Sequence, residues 1–286
     1  MSQKERIILP GGNIMPLRTF IFDWFCDNPT ICMIAKRNSG KSWVCRCILK
    51  HFSYLPGGVI IAPTDRMSSF YGKFFPSLYI HYKYSTELLR EILFRQETII
   101  DKAITKYKKG KKLDPRAFLI MDDCLATKGT WANDPQIAEV FLNGRHYQLL
   151  FILTMQFPLG IKPELRGNFD YIFLLADDYF SNQKKLFDHY AGIFPSFDIF
   201  RQVFLQITCN YGCMVIVRKG NSPNILDKVF KYKATNENIR KIGCKQFRDF
   251  AERNYNKRWK YDTSHNFDVN TLIPQKKGHK KIIVPT

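Results

Sequence analysis

The run Ala35-Lys36-Arg37-Asn38-Ser39-Gly40-Lys41-Ser42 constrains the fold more than any other stretch of this 286-residue chain. Apolar Thr30-Ile31-Cys32-Met33-Ile34 precedes it, and a helix-like segment over 43–51 follows. A strand, a short loop and a helix in that order make a P-loop, in which inward-turned backbone N–H groups and a helix N-terminus cradle phosphate. In such a loop Lys41 reaches the β- and γ-phosphates of ATP, and the Ser42 hydroxyl ligates Mg2+. The pattern departs from the usual one at its first position, where Ala35 stands in place of glycine. The Gly40-Lys41-Ser42 end, where backbone approaches phosphate most closely, is intact.

Short apolar runs continue beyond the loop. Residues 58–62, 117–121, 149–154, 171–175 and 213–217 are expected strands, and 85–105, 135–147 and 181–190 are expected helices. Wholly apolar strands separated by helices predict an α/β fold, a mostly parallel sheet with helices on both faces. Residues 1–28 read as an entry segment, with a turn signal at Pro10-Gly11-Gly12 and an aromatic anchor from Phe20 to Phe25. The core is expected over 29–220. A basic C-terminal region, 221–286, follows, with a polar helix over 236–255.

Composition narrows the setting. With 45% apolar residues, 24 Phe and 14 Tyr, the chain can bury a large core. No apolar run approaches the roughly 18–20 residues that span a bilayer, and the opening Met1-Ser2-Gln3-Lys4-Glu5-Arg6 lacks a signal-peptide stretch. A soluble, intracellular protein is expected. The eight cysteines are scattered without a CxxC pair, which reads as buried thiols and not as a zinc site. The net charge of +19 points to a polyanionic partner, nucleic acid first. Residues 219–286 carry 16 Lys/Arg against 6 Asp/Glu, so the excess is concentrated there.

Hydrolysis chemistry needs acids beside the P-loop. The run 117–121 delivers Asp122-Asp123 at its C-terminal end, where α/β sheets place ligands. Asp122 is the candidate for Mg2+ through water, and Asp123 for polarising the attacking water. Gln156, at the end of the 149–154 strand, is the candidate for sensing the γ-phosphate or holding the attacking water. Arg145, in Asn143-Gly144-Arg145-His146, and Arg166, in Leu165-Arg166-Gly167-Asn168, are candidate arginine fingers.

Together these residues resemble the genome-packaging ATPases of nucleocytoplasmic large DNA viruses, poxvirus-type members of the FtsK–HerA superfamily of RecA-like P-loop motors. The resemblance covers residues 30–175 and rests on Ala35 to Ser42, Ile61-Ala62-Pro63-Thr64, Phe118-Leu119-Ile120-Met121-Asp122-Asp123-Cys124, Asn143 to His146, Thr154-Met155-Gln156 and Leu165 to Asn168. Asp123 stands where many motors of the superfamily carry Glu. The resemblance implies ATP hydrolysis with Mg2+, a homo-oligomeric ring, and translocation of double-stranded DNA into a capsid. A capsid or portal component is an implied partner, and the host cytoplasm, with possible association with the virion, the implied location. Arg145 or Arg166 would complete a neighbour's site. Lys106, Lys108, Lys109, Lys111 and Lys112, together with the C-terminal region, are the candidate DNA contacts. Alternatives are a translocase or helicase of the same superfamily not dedicated to packaging, a P-loop nucleotide kinase, and a passive DNA-binding protein.

Overall fold

In the P-loop segment the strand β3 (Thr30–Ile34) is buried along its whole length, and the helix α1 (Lys41–His51) begins directly after Gly40. The computed structural model describes residues 5–9, 12–124, 132–236 and 238–256, and the fold lies within the unit Met1–Asn254. Ahead of β3, the strands β1 (Glu5–Ile8) and β2 (Ile14–Leu17) form an antiparallel hairpin. Beyond α1 come β4 (Gly58–Ile61), the single turn α2 (Asp65–Ser68), β5 (Ile80–His81), α3 (Thr86–Lys108) and β6 (Ala117–Asp122). Then follow α4 (Pro135–Asn143), β7 (Leu149–Met155), the single turn α5 (Pro163–Arg166) and β8 (Tyr171–Leu175). The last elements are α6 (Phe180–Tyr190), α7 (Phe197–Thr208), β9 (Gly212–Val217), β10 (Val229–Lys233) and α8 (Lys245–Asn254).

Eight strands form the central sheet in the order β10-β9-β8-β3-β7-β6-β4-β5. From β8 to β5 all pairings are parallel, as the apolar runs predict. The other edge is antiparallel: β9 pairs with β8, and β10 with β9. The cause lies in the connection. A single helix returns the chain to the edge where a strand began, whereas two helices of similar length, α6 and α7, bring it back to the edge where β8 ended. β9 must then run the opposite way.

The strands carry two cores at once. In β3, Ile31 and Met33 belong to one face while Cys32 and Ile34 belong to the other; in β6, Phe118 and Ile120 oppose Leu119 and Met121. This is the period of two hidden inside a continuously apolar run. One face is covered by α3, α4, α6, α7 and the β1–β2 hairpin, the other by α1 and the aromatic stretch from Phe20 to Phe25. On that second face Phe247 of α8 stacks on Tyr79 with ring centroids 3.9 Å apart.

The N-terminal segment is built into this structure. Phe20 is 1% exposed and meets Phe25, Tyr171, Phe173 and Phe230 at centroid distances of 5.2–5.9 Å. Its N–H donates to the Lys231 carbonyl at 2.7 Å, and Lys231 N–H donates to the Arg18 carbonyl at 3.1 Å. The exposed side of the edge strand β10 is therefore covered, which protects it from pairing with other chains. The hairpin is pinned by Gln206, whose amide accepts from Ile8 N–H at 3.0 Å and donates to the Ile8 carbonyl at 2.7 Å.

Several boundaries differ from those the sequence suggests. Helix α3 runs on to Lys108, so Lys106 and Lys108 lie in its last turn instead of in a loop, and α4 stops at Asn143. Residues 144–148 form turns because the chain must reverse into β7. The C-terminal helix begins only at Lys245: Ile242 N–H bonds the Phe74 carbonyl and Cys244 N–H that of Pro56, tying this stretch to the core in a non-helical path. Strand β10 lies beyond residue 220, where the sequence places the end of the core. The basic stretch 257–286 lies outside the described residues. Phe20→Ala is expected to destabilise the fold by about 3–5 kcal/mol, read as a lowered midpoint in urea unfolding. A change under about 1 kcal/mol, far below that range, would show that the N-terminal segment is dispensable.

Candidate functional site

A cleft of about 1070 Å3 opens at the C-terminal ends of β3, β6 and β7, lined by Ala35 to Asn38, Gly40 to Trp43, Asp122, Asp123 and Gln156. That volume suits a nucleoside triphosphate. Of the expected phosphate-binding run, Ser39 alone is not in the lining; it is buried and its hydroxyl donates to the Lys36 carbonyl at 2.7 Å, closing the turn.

The loop resolves the question posed by Ala35. Ala35 N–H donates to the Met155 carbonyl at 2.9 Å, extending the β3–β7 ladder, and its methyl is buried in the core. The left-handed positions are instead Asn38 (φ 61) and Gly40 (φ 95). Glycine is needed at Gly40, which also faces Tyr211: a Cβ there would stand 3.5 Å from that ring. As α1 begins at Lys41, the N–H groups of Lys41 and Ser42 come before the first helical hydrogen bonds, which Trp43 and Val44 N–H make to the Gly40 carbonyl at 3.0 and 3.2 Å.

Lys41 sits between the two acids. Its Nζ is 3.2 Å from Asp122 Oδ1 and 3.6 Å from Asp123 Oδ2. In a regular strand, adjacent side chains point to opposite faces. The chain leaves β6 at Asp123 in the left-handed region (φ 58), and that turn brings both carboxylates to one lysine. Aspartate tolerates this backbone better than most residues.

Thr154 fixes the turn. Its hydroxyl accepts from Asp123 N–H at 3.1 Å and donates to Asp122 Oδ1. The β6–β7 register pairs Asp122 with Thr154 directly. Tyr71 OH donates to Asp122 Oδ2 at 2.9 Å and lies 3.4 Å from Cys45 Sγ. Burial, with the Asp122 charge adding to it, pushes the Cys45 thiol up to about 12 and the Tyr71 hydroxyl well above its usual range. Both stay protonated at neutral pH, so Tyr71 remains a donor to the carboxylate. Tyr71 is itself held by buried Asp65, which accepts from Tyr71 N–H at 3.0 Å and from Ser68 Oγ at 3.2 Å.

Gln156 Nε2 donates to Asp123 Oδ2, joining the expected sensor to the expected water-polarising acid. Lys41, Ser42, Asp122, Asp123 and Gln156 thus share one cleft. Arg145 and Arg166 do not line it. Arg145 pairs with buried Asp170, which precedes β8, and Arg166 bonds the Ile161 carbonyl and His189 Nδ1. Arg145 precedes β7, so its chain position is at the opposite end of the strands. The seven residues of β7 at about 3.3 Å each put that end roughly 23 Å away.

Among the described residues no three His, Cys, Asp or Glu side chains cluster to hold a metal. The cleft offers a hydroxyl, Ser42, and two carboxylates. These hard oxygen donors suit Mg2+ carried in with phosphates and water better than a metal held by protein alone. Sequence reasoning passed over Thr154, Tyr71 and Asp65 as supports. Thr154 had a signal, as the one hydroxyl in an otherwise apolar strand; Tyr71, one of 14 tyrosines, had none.

No protein-family model matches the chain. The uncharacterized protein L437 of Acanthamoeba polyphaga mimivirus is 49% identical over 85% of this chain and 86% of its own length. The uncharacterized protein 088R of invertebrate iridescent virus 3 is 33% identical over 77% and 83%. Among solved structures, the genome packaging NTPase B204 of Sulfolobus turreted icosahedral virus 2, in complex with sulfate, superposes with a TM-score of 0.51 at 15% identity, covering 75% of this chain and all of that one. That likeness shows a P-loop NTPase fold.

Thr154→Val keeps the shape while removing the hydroxyl, leaving Asp123 N–H unpaired and Asp122 short of a donor. A loss of about 1–3 kcal/mol is expected in chemical denaturation, with Thr154→Ser close to wild type. A valine variant of unchanged stability would contradict the role given to this hydroxyl.

Proposed function

The chain belongs to the family of mimivirus L437 and its iridescent-virus relatives, proteins of large DNA viruses, and we propose that it is an ATP-hydrolysing motor that moves double-stranded DNA during genome packaging. The observation carrying this reading is Lys41 held between Asp122 and Asp123, with Gln156 on Asp123, at the mouth of a P-loop. A phosphate anchor, a metal-facing acid, a second acid for water and an amide that touches that acid are the parts phosphoryl transfer to water requires.

Under this reading the nucleotide's phosphates take over Lys41 and the loop N–H groups. The two carboxylates then lose their shared cation. Ser42, and Asp122 through water, would hold Mg2+, which would supply positive charge there. Asp123 accepts a proton from the attacking water, and Gln156 fixes the carboxylate's orientation. Because Gln156 bonds Asp123, a shift of its amide toward the γ-phosphate would turn that carboxylate as well.

Neither arginine reaches the chain's own cleft, so a finger role requires a neighbouring subunit in a homo-oligomer. The basic groups Lys106, Lys108, Lys109, Lys111 and Lys112 are exposed at the end of α3, where the chain turns into the start of β6. That end of the strands is opposite the nucleotide cleft. Contacts there would be to DNA phosphates and largely independent of sequence. The B204 likeness supports the fold this reading needs. B204 is itself a genome packaging NTPase of a virus, and this chain's own relatives are proteins of viruses.

The test is ATP turnover with and without double-stranded DNA. DNA-stimulated hydrolysis in wild type, lowered at least about 100-fold in Lys41→Ala, is expected. Turnover indifferent to DNA, or phosphate delivered to a nucleoside, would contradict the motor. For the finger, mixing Arg145→Ala with Asp123→Ala subunits is expected to restore part of the activity through mixed interfaces. No recovery after subunit exchange would remove Arg145 from that role.

A further inference from the structure

Three aromatics line the cleft, Trp43, Phe70 and Tyr211, and the most exposed is Tyr211. It is 66% exposed, lines the same opening as Lys41, and has no part in the chemistry assigned above. Its backbone is unusual. Asn210 (φ 51) and Tyr211 (φ 62) both occupy the left-handed region, which a bulky aromatic rarely adopts. The turn is forced from both sides. Cys209 to Tyr211 form a single 3-10 turn after α7, and Gly212 starts β9 with its Cα so close to the Ile207 carbonyl that a Cβ would stand 1.9 Å from the oxygen. Strain of this kind, placed at a cleft, points to use of the side chain it aims.

The sheet order says which part of a ligand would lie there. Strand β3, which carries the P-loop, is flanked by β7 and then β6 on one side, and by β8, β9 and β10 on the other. Asp122, Asp123 and Gln156 all come from the β6–β7 side. The phosphate that reacts must therefore point that way, and the rest of the nucleotide must leave across the loop toward β8–β10. Because β9 runs antiparallel to β8, its first residue lies at the end where β8 finishes, with Cys213 opposite Leu175. Tyr211 is thus delivered beside Gly40, on the non-reacting side of the loop. The end of β10 comes to the same place, and Lys233, Ala234 and Asn236 complete the rim.

We infer that Tyr211 is the platform on which the base of a nucleoside triphosphate stacks, with residues 233–236 bordering it. This rests on the reading of the cleft as a nucleotide site and adds its second half. Aromatic stacking uses the π-face that every base has, so Tyr211 contributes affinity for the nucleoside without choosing between bases. The antiparallel edge of the sheet acquires a purpose: a parallel β9 would place its first residue at the far edge, away from the cleft.

Calorimetric titration of the full chain with ATP and with inorganic tripolyphosphate, both with Mg2+, separates the two halves. Tyr211→Ala is expected to weaken ATP binding about tenfold or more and to leave tripolyphosphate binding unchanged, which also shows that the variant is folded. Tyr211→Phe, which keeps the ring, is expected to bind ATP like wild type. The inference is overturned if Tyr211→Ala weakens both ligands alike or neither. It is also overturned if wild type binds tripolyphosphate as tightly as ATP, although the phosphate site then stands. Wild type that binds neither ligand would end both this inference and the nucleotide reading.

Discussion

The placement of one ammonium between two carboxylates organises this molecule. Lys41 is fixed at the first position of α1, and the acids at the end of β6, so the contact depends on β7 and β3 holding those strands in register. Three neutral donors surround the acids: Thr154, Tyr71 and Gln156. Two adjacent carboxylates repel unless something cationic or hydrogen-bonding stands against both. The whole second row of the site, down to Asp65 holding Tyr71, serves that need. Under the proposed function, Lys41 turns from these acids to the phosphates of the nucleotide with the backbone already in place.

The sheet gives each edge a different task. Its parallel half brings β3, β6 and β7 to one end and so collects the loop, Asp122, Asp123 and Gln156, as open α/β sheets do at the carboxyl ends of their strands. Its antiparallel half reverses direction through the α6–α7 pair and returns a strand start, with Tyr211, to the same end. The basic end of α3 and Arg145 lie at the other end of the strands, ahead of β6 and β7. Under the proposed function, DNA and a neighbouring subunit would then meet surfaces remote from the chain's own nucleotide, linked to it by buried strands of five to seven residues.

What was legible in the sequence follows from the range of the signal. Strand β3, the P-loop, β6 with its two acids, β7 and β8 were readable because each carries its information in adjacent residues. Ala35 looked like a defect because the pattern states a residue type without its reason. The backbone places the left-handed positions at Asn38 and Gly40, where an alanine three residues earlier is harmless. The direction of β9 was not readable, since an apolar run does not say which way it points; only the count of helices before it does. Tyr71, Asp65 and Tyr211 were invisible for a related reason. Each acts through a partner between 6 and 171 residues away in the chain, and no local pattern marks such a pairing.

Under the proposed function, Asp123, turned into the cleft by its left-handed backbone, acts on water and not on binding. The most direct test compares equilibrium ATP binding with single-turnover hydrolysis in Asp123→Asn. The expected result is ATP affinity within a few-fold of wild type and hydrolysis reduced by about 100-fold or more. Hydrolysis retained at the wild-type rate, or lost only in step with ATP binding, would contradict it.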